Sequence, residues 1–187
     1  MTRALIVVDV QNDFCEGGSL AVRGGAEVAR RIATYLDGEG RGYACVIATR
    51  DWHEDPGAHF STVPDFVESW PPHCVAGTDG AAFHRALDPS RFDDVVSKGR
   101  HSAAYSGFEG SDDGGADLGT VLTRNGVDAV DVCGLATDYC VRATALDAVA
   151  RGLRTRVLLP LSAGVAPEST ARAEADLAAA GVELVRG

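Results

Sequence analysis

Short apolar runs of strand length alternate along this chain with helical patterns, and that alternation restricts the fold more than any other feature. The runs fall at 4–10, 43–49, 95–97, 129–133 and 155–159, with a short last one at 182–185. They are rich in Val and Ile and largely continuous, which fits strands buried on both faces. Helical patterns lie between them. One spans 25–36 and stops at Gly38, a second spans 116–124 and ends at Asn125-Gly126, a third spans 139–151 before Gly152, and a fourth spans 167–180 before Gly181. Such alternation predicts an open, mostly parallel sheet with helices on both faces. A length of 187 residues with 45% hydrophobic content suits a single domain over 1–187 with a sizeable core. The Gly-rich stretch 110–115 reads as a flexible loop by composition. Residues 51–80 form a long connection with little periodicity, a length usually reserved for function or disorder.

Charge and cysteine usage narrow the partners. A net charge of −10 argues against nucleic acid or an anionic membrane, since both require basic patches. No apolar run approaches the length of a membrane span. The first nine residues are too short and too soon charged for a signal peptide. Five cysteines without a C-x-x-C spacing fit reduced thiols, so a cytoplasmic protein is expected.

The long connection carries metal-type residues. Only five histidines exist in the chain, and His53, His59 and His73 sit within 21 positions of one another, beside Asp51. Residues two apart on an extended segment point the same way, so Asp51 and His53 can grip one ion, with His59 and His73 closing around it. Neutral imidazoles with one carboxylate suit Zn, Fe or Mn and offer too few oxygens for Ca. The alternative is a polar surface loop with scattered histidines.

Ligands of an open α/β sheet bind at the carboxyl ends of its strands. Asp9 lies near the end of the first run, and Lys98, the single lysine among 17 basic residues, directly follows the third. Cys140 follows the fourth, at the start of a helix. A thiol at a helix N-terminus beside an ammonium is expected to have a lowered pKa. A carboxylate in reach can take the thiol proton and return it to a leaving group. Backbone N–H groups at Ala136 and Cys140 can form an oxyanion hole. Each residue also has a plainer reading. Cys140 can be a buried structural cysteine, as Cys133 is expected to be, Asp9 a cap for the turn Gln11-Asn12-Asp13, and Lys98 a solvated charge. Three reactive side chains at three strand ends favour a site.

These residues stand in motifs with a known likeness. Val7-Val8-Asp9-Val10-Gln11-Asn12-Asp13-Phe14 resembles the opening strand of nicotinamidases, in the isochorismatase-like cysteine hydrolase superfamily. Thr49 through His59, then Trp70-Pro71-Pro72-His73-Cys74, resembles their metal segment. Lys98-Gly99 and Tyr105-Ser106-Gly107-Phe108 match in order, and Gly134-Leu135-Ala136-Thr137-Asp138-Tyr139-Cys140-Val141 resembles the nucleophile turn. The likeness spans essentially the whole chain and is strongest to bacterial nicotinamidases that also act as pyrazinamidases.

The resemblance implies a six-stranded parallel sheet, a triad of Asp9, Lys98 and Cys140, and one metal held by Asp51, His53, His59 and His73. It implies a cis peptide between Leu135 and Ala136, and a substrate pocket bordered by Phe14, Trp70, Tyr105, Leu135 and Ala136. The implied reaction is hydrolysis of nicotinamide to nicotinate and ammonia through a thioester, with pyrazinamide a second substrate, by a monomer or small homo-oligomer working in NAD salvage. Tyr139 stands where relatives vary and is expected to tune the pocket, and the 110–115 loop is a segment that varies in such proteins. The rivals are a sibling amidase acting on carbamoyl substrates, an isochorismatase, and a non-catalytic metal- or ligand-binding protein.

Overall fold

The computed structural model of the chain describes residues 1–187, the side chain of Glu39 excepted. Among the described residues a six-stranded sheet runs β1 (Arg3–Val8), β2 (Cys45–Asp51), β3 (Asp94–Lys98), β4 (Ala129–Leu135), β5 (Arg154–Ala163) and β6 (Glu183–Val185). Its order is β3-β2-β1-β4-β5-β6, and every strand pairing is parallel. Four α-helices cover it, α1 (Gly25–Asp37), α2 (Leu118–Arg124), α3 (Arg142–Ala150) and α4 (Pro167–Ala179). None is long and apolar enough to cross a membrane.

The central strand explains the two layers. Ala4, Ile6 and Val8 of β1 pack into one core with residues of α2, α3 and α4, whereas Leu5 and Val7 pack into a second core under α1. Side chains alternate across a strand, so a strand apolar at every position must be covered on both sides. Burying one such Val, Leu or Ile contributes roughly 1.5–3 kcal/mol. Helix α1 brings Val28, Ala29, Ile32 and Leu36 to its sheet-facing side, the spacing of one helical stripe.

The boundaries shift from expectation where side chains or backbone intervene. The strand expected at 43–49 runs two residues further, to Asp51, and the one expected at 95–97 includes Lys98. Helix α2 starts at Leu118 because the Asp117 carboxylate accepts the Thr120 N–H at 2.7 Å and caps it there. The helix expected over 139–151 divides into a π-helical turn, Thr137–Val141, followed by α3. β5 is twice the expected length and slips in register against β4 between Val132 and Gly134. Pro160 lies in the slipped part and has no N–H to give to a ladder.

The 110–115 stretch is a loop anchored to the sheet at its first residues. Ser111 exchanges backbone hydrogen bonds with Ser97 of β3 at 2.8 and 3.1 Å, and Asp112 Oδ1 accepts the Ala116 N–H at 2.8 Å. A Cβ at Gly110 would lie 2.7 Å from the Ser97 carbonyl. The glycine there serves close approach to the sheet rather than freedom.

Candidate active site

Strand order reverses direction at β1, which has β2 on one side and β4 on the other. The crevice beyond the carboxyl ends of these strands is the usual ligand position in open α/β sheets. Four of the expected residues meet there. Asp51 and Lys98 are the last residues of β2 and β3, Asp9 directly follows β1, and Cys140 lies on the π-helical turn after β4. Asp9 adopts φ 51°, a region few non-glycine residues enter. Gly134 (φ 118°) lets β4 pass so close to β1 that a Cβ would sit 2.2 Å from the Val8 carbonyl oxygen. The Leu135–Ala136 peptide is cis.

Lys98 is the hub. It is only 1% exposed, which rules out a solvated strand-end charge. Its ammonium lies 2.9 Å from Asp9 Oδ2, donates to Asp51 Oδ1 at 2.5 Å and to the Ala104 carbonyl at 3.1 Å, and stands 3.6 Å from Cys140 Sγ. Burial opposes its charge, but the Asp51 and Asp9 carboxylates outweigh it and hold the ammonium well above the usual lysine range. Asp51 is the converse case. Burial pushes it up, and Lys98 and His53 more than compensate, leaving it below the ordinary carboxylate range.

The thiol behaves oppositely to the expectation from helix position. Burial pushes Cys140 well above an ordinary thiol; Lys98 counters this, and the Asp9 and Asp51 charges add to the rise. The helix macrodipole does not prevail because the thiol is buried against two carboxylates, and desolvation penalises the thiolate more than one ammonium favours it. Burial likewise raises Asp9, against the pull of Lys98. A buried thiol and a buried carboxylate, each reluctant to be charged, form a pair between which a proton can move.

The three histidines gather beside this group, each offering a nitrogen within 4.8 Å of the others. Gly99 carbonyl lies 2.5 Å from His53 Nδ1, and the Pro71 carbonyl 2.8 Å from His73 Nδ1. Those contacts aim the Nε2 atoms inward, the usual way a backbone carbonyl orients a ligating imidazole. Asp51 Oδ2 is 3.6 Å from His53 Nε2 and 3.9 Å from His73 Nε2. Asp51 therefore spends one oxygen on Lys98 and turns the other to the histidines. His53 Nε2 and His59 Nδ1 are buried without a hydrogen-bond partner, an arrangement that costs free energy unless something fills it. Burial and the neighbouring imidazoles push His59 down to about 4, and burial lowers His73 too, so both are neutral and able to ligate. Three imidazoles and a carboxylate fit a Zn, Fe or Mn ion. Cys74 stands outside this group.

A pocket opens over Cys140. Its walls include all five expected residues, Phe14, Trp70, Tyr105, Leu135 and Ala136, with Asp51, His59 and His73 at one side. Trp70 Nε1 donates to the Tyr105 hydroxyl at 3.1 Å, and Tyr139 meets the Trp70 ring edge-on at 5.4 Å between centroids. Flat, apolar walls of this kind suit a planar ring. The lining also includes Leu20, Ala21, Val22 and Val165, which the sequence did not single out. Val165 is held by Asp138, whose carboxylate accepts the Val165 N–H at 2.9 Å and the Ser169 hydroxyl at 2.5 Å.

Two supporting residues were also missed. Thr49 Oγ1 donates to Asp9 Oδ1 at 2.6 Å, and Gln11 binds the backbone of Asp51. The signal available was a polar residue at the end of an otherwise apolar run, which by itself does not say which partner it meets.

The isochorismatase domain model matches residues 3–186. The nicotinamidase/pyrazinamidase of Mycobacterium tuberculosis is 58% identical over 183 residues, with 98% of each chain covered. Two solved structures superpose closely. A pyrazinamidase of Pyrococcus horikoshii in complex with zinc has a TM-score of 0.85 at 38% identity, with both chains covered in full. PnC1 from L. infantum in complex with nicotinate has a TM-score of 0.87 at 36% identity, covering 99% of this chain and 92% of the other.

Proposed function

The chain belongs to the isochorismatase domain family, and we propose that it hydrolyses nicotinamide to nicotinate and ammonia, with pyrazinamide as a second substrate. The observation that carries this reading is the Lys98 ammonium, 2.9 Å from Asp9 and 3.6 Å from Cys140, whose side chain lines an aromatic pocket. The relatives named nicotinamidase or pyrazinamidase support it.

In this mechanism the substrate ring lies among Phe14, Trp70 and Tyr105, with its carboxamide over Cys140. Asp9 takes the Cys140 proton as Sγ attacks the amide carbon. Lys98 offsets the charge on sulfur. The N–H groups of Ala136, just before the π-helical turn, and of Cys140, within it, donate to the oxyanion. The C–N bond breaks, Asp9 protonates the departing nitrogen, and a thioester remains. Asp9 then draws a proton from water, whose oxygen attacks the thioester carbon; the C–S bond breaks, Asp9 returns its proton to the thiolate, and nicotinate leaves with its carboxyl proton lost to solvent. Asp51, His53, His59 and His73 would hold one divalent ion (Zn, Fe or Mn), supplying Lewis-acid charge beside the pocket. We take the chain as one catalytic domain, cytoplasmic, monomeric or a small homo-oligomer, acting in NAD salvage without nucleic-acid or membrane partners.

The test is ammonia release from nicotinamide by purified, metal-analysed protein, run beside N-carbamoyl compounds. Turnover on nicotinamide that vanishes in Cys140→Ala supports the reading. Turnover only on the carbamoyl compounds would replace it with the sibling amidase.

A further inference from the structure

We propose that Thr49 is a positioning residue for Asp9, its hydroxyl holding one carboxylate oxygen so that the other faces Lys98 and Cys140. The inference deepens the proposed hydrolysis and rests on it for the role of Asp9.

Thr49 is fully buried and stands opposite Val8 in the β1–β2 register. It holds Asp9 twice. Its carbonyl accepts the Asp9 N–H at 3.2 Å, and its hydroxyl donates to Asp9 Oδ1 at 2.6 Å. A hydroxyl has one proton, so it can tie down only one of the two oxygens. The other, Oδ2, is buried and lies 2.9 Å from Lys98 Nζ, with no second donor on it. It is the oxygen left with a lone pair for the thiol proton.

The threonine is itself fixed. A Cβ at Gly107 would lie 2.9 Å from Thr49 Cγ2, so the methyl is seated against that glycine, and Gly107 in turn donates its N–H to Thr144 Oγ1 at 2.9 Å. β-Branched side chains are stiff at χ1. With the methyl seated on Gly107, the hydroxyl is left on the Asp9 side. Without the hydroxyl, the carboxylate can turn about its last torsion, which is broad and roughly two-fold. The carboxylate plane would then swing through intermediate angles, and an oxygen would be aligned with the thiol for only part of the time. General acid–base catalysis contributes about 10²–10⁴-fold, so a misoriented base is expected to cost roughly tenfold or more of it.

The experiment compares Thr49→Val, which keeps the wedge and removes the hydroxyl, with Thr49→Ser, which does the reverse. Thr49→Val is expected to lower kcat about tenfold or more while KM for nicotinamide changes less than about two-fold; Thr49→Ser is expected to restore most of the rate. Iodoacetamide alkylation of Cys140, followed by mass spectrometry, needs no substrate and should slow in Thr49→Val but not in Thr49→Ser. If Thr49→Val fails to fold, Thr49→Ala against Thr49→Ser isolates the same hydroxyl. Wild-type kcat in folded Thr49→Val, or equal impairment of the valine and serine variants, overturns the assignment. Absence of ammonia release by the wild type would instead reject the proposed substrate, and the alkylation rates would still judge Thr49.

Discussion

Gln11 grips both backbone polar groups of Asp51: its carboxamide nitrogen donates to the Asp51 carbonyl at 2.8 Å, and its carboxamide oxygen accepts the Asp51 N–H at 2.8 Å. The same nitrogen donates to the Ala81 carbonyl at 2.9 Å. The strand ends are thus locked reciprocally, with a residue after β1 holding the end of β2 and Thr49 of β2 holding Asp9 after β1. Gln11→Leu removes all three bonds at near-constant volume. Buried groups left unpaired cost about 1–3 kcal/mol each, so a loss on the order of 3 kcal/mol is expected in urea unfolding. An unchanged midpoint would show that Asp51 is held by the sheet alone.

Cys140→Ala is expected to cut ammonia release on the order of a thousand-fold or more and to leave the fold intact by circular dichroism. Cys133 is buried within β4 among residues of the core under α1, so Cys133→Ala should retain turnover. Loss in the second variant with retention in the first would move the nucleophile.

Chelation should strip the metal, and adding back Zn, Fe or Mn should return it. With one imidazole gone, the remaining donors bind less tightly, so His59→Ala is expected to carry a lower metal-to-protein ratio than wild type after the same dialysis. The readout is elemental analysis. Equal ratios would remove His59 from the ligand set.

Acid stability should depend on Asp131, far from the pocket in the middle of β4. It is fully buried, accepts from Arg156 at 2.7 and 2.5 Å and from the Tyr43 hydroxyl at 2.6 Å, and pairs with Arg3. Burial pushes its pKa up, but those donors prevail and hold it below the ordinary range. A depressed carboxylate contributes stability above its unfolded pKa, about 3.9, and loses it as pH falls through the folded value. Asp131→Asn is therefore expected to be about 2–3 kcal/mol less stable at neutral pH, with the gap closing below about pH 4. A gap that stays constant down to pH 2 would contradict the ionised network.

What the sequence determined by itself was the layered architecture and the edge at which chemistry gathers. Runs of Val and Ile, apolar at every position, have to be covered on both faces, and helices between them force parallel strands. Parallel strands deliver Asp9, Asp51 and Lys98 to one edge whatever the register, and the turn after β4 delivers Cys140 to it as well. Burial and pairing were decided only by the tertiary structure. Gln11 and Asp51 are 40 positions apart, as are Thr49 and Asp9, and local spacing carries no information about contacts at that range. The same holds for the direction of the Cys140 pKa, because desolvation comes from what is packed around the sulfur, not from its place on a helix. Gly110 makes the point in reverse: a glycine that reads as freedom in the chain lies where its backbone meets the Ser97 carbonyl, a proximity that exists only once the sheet has formed.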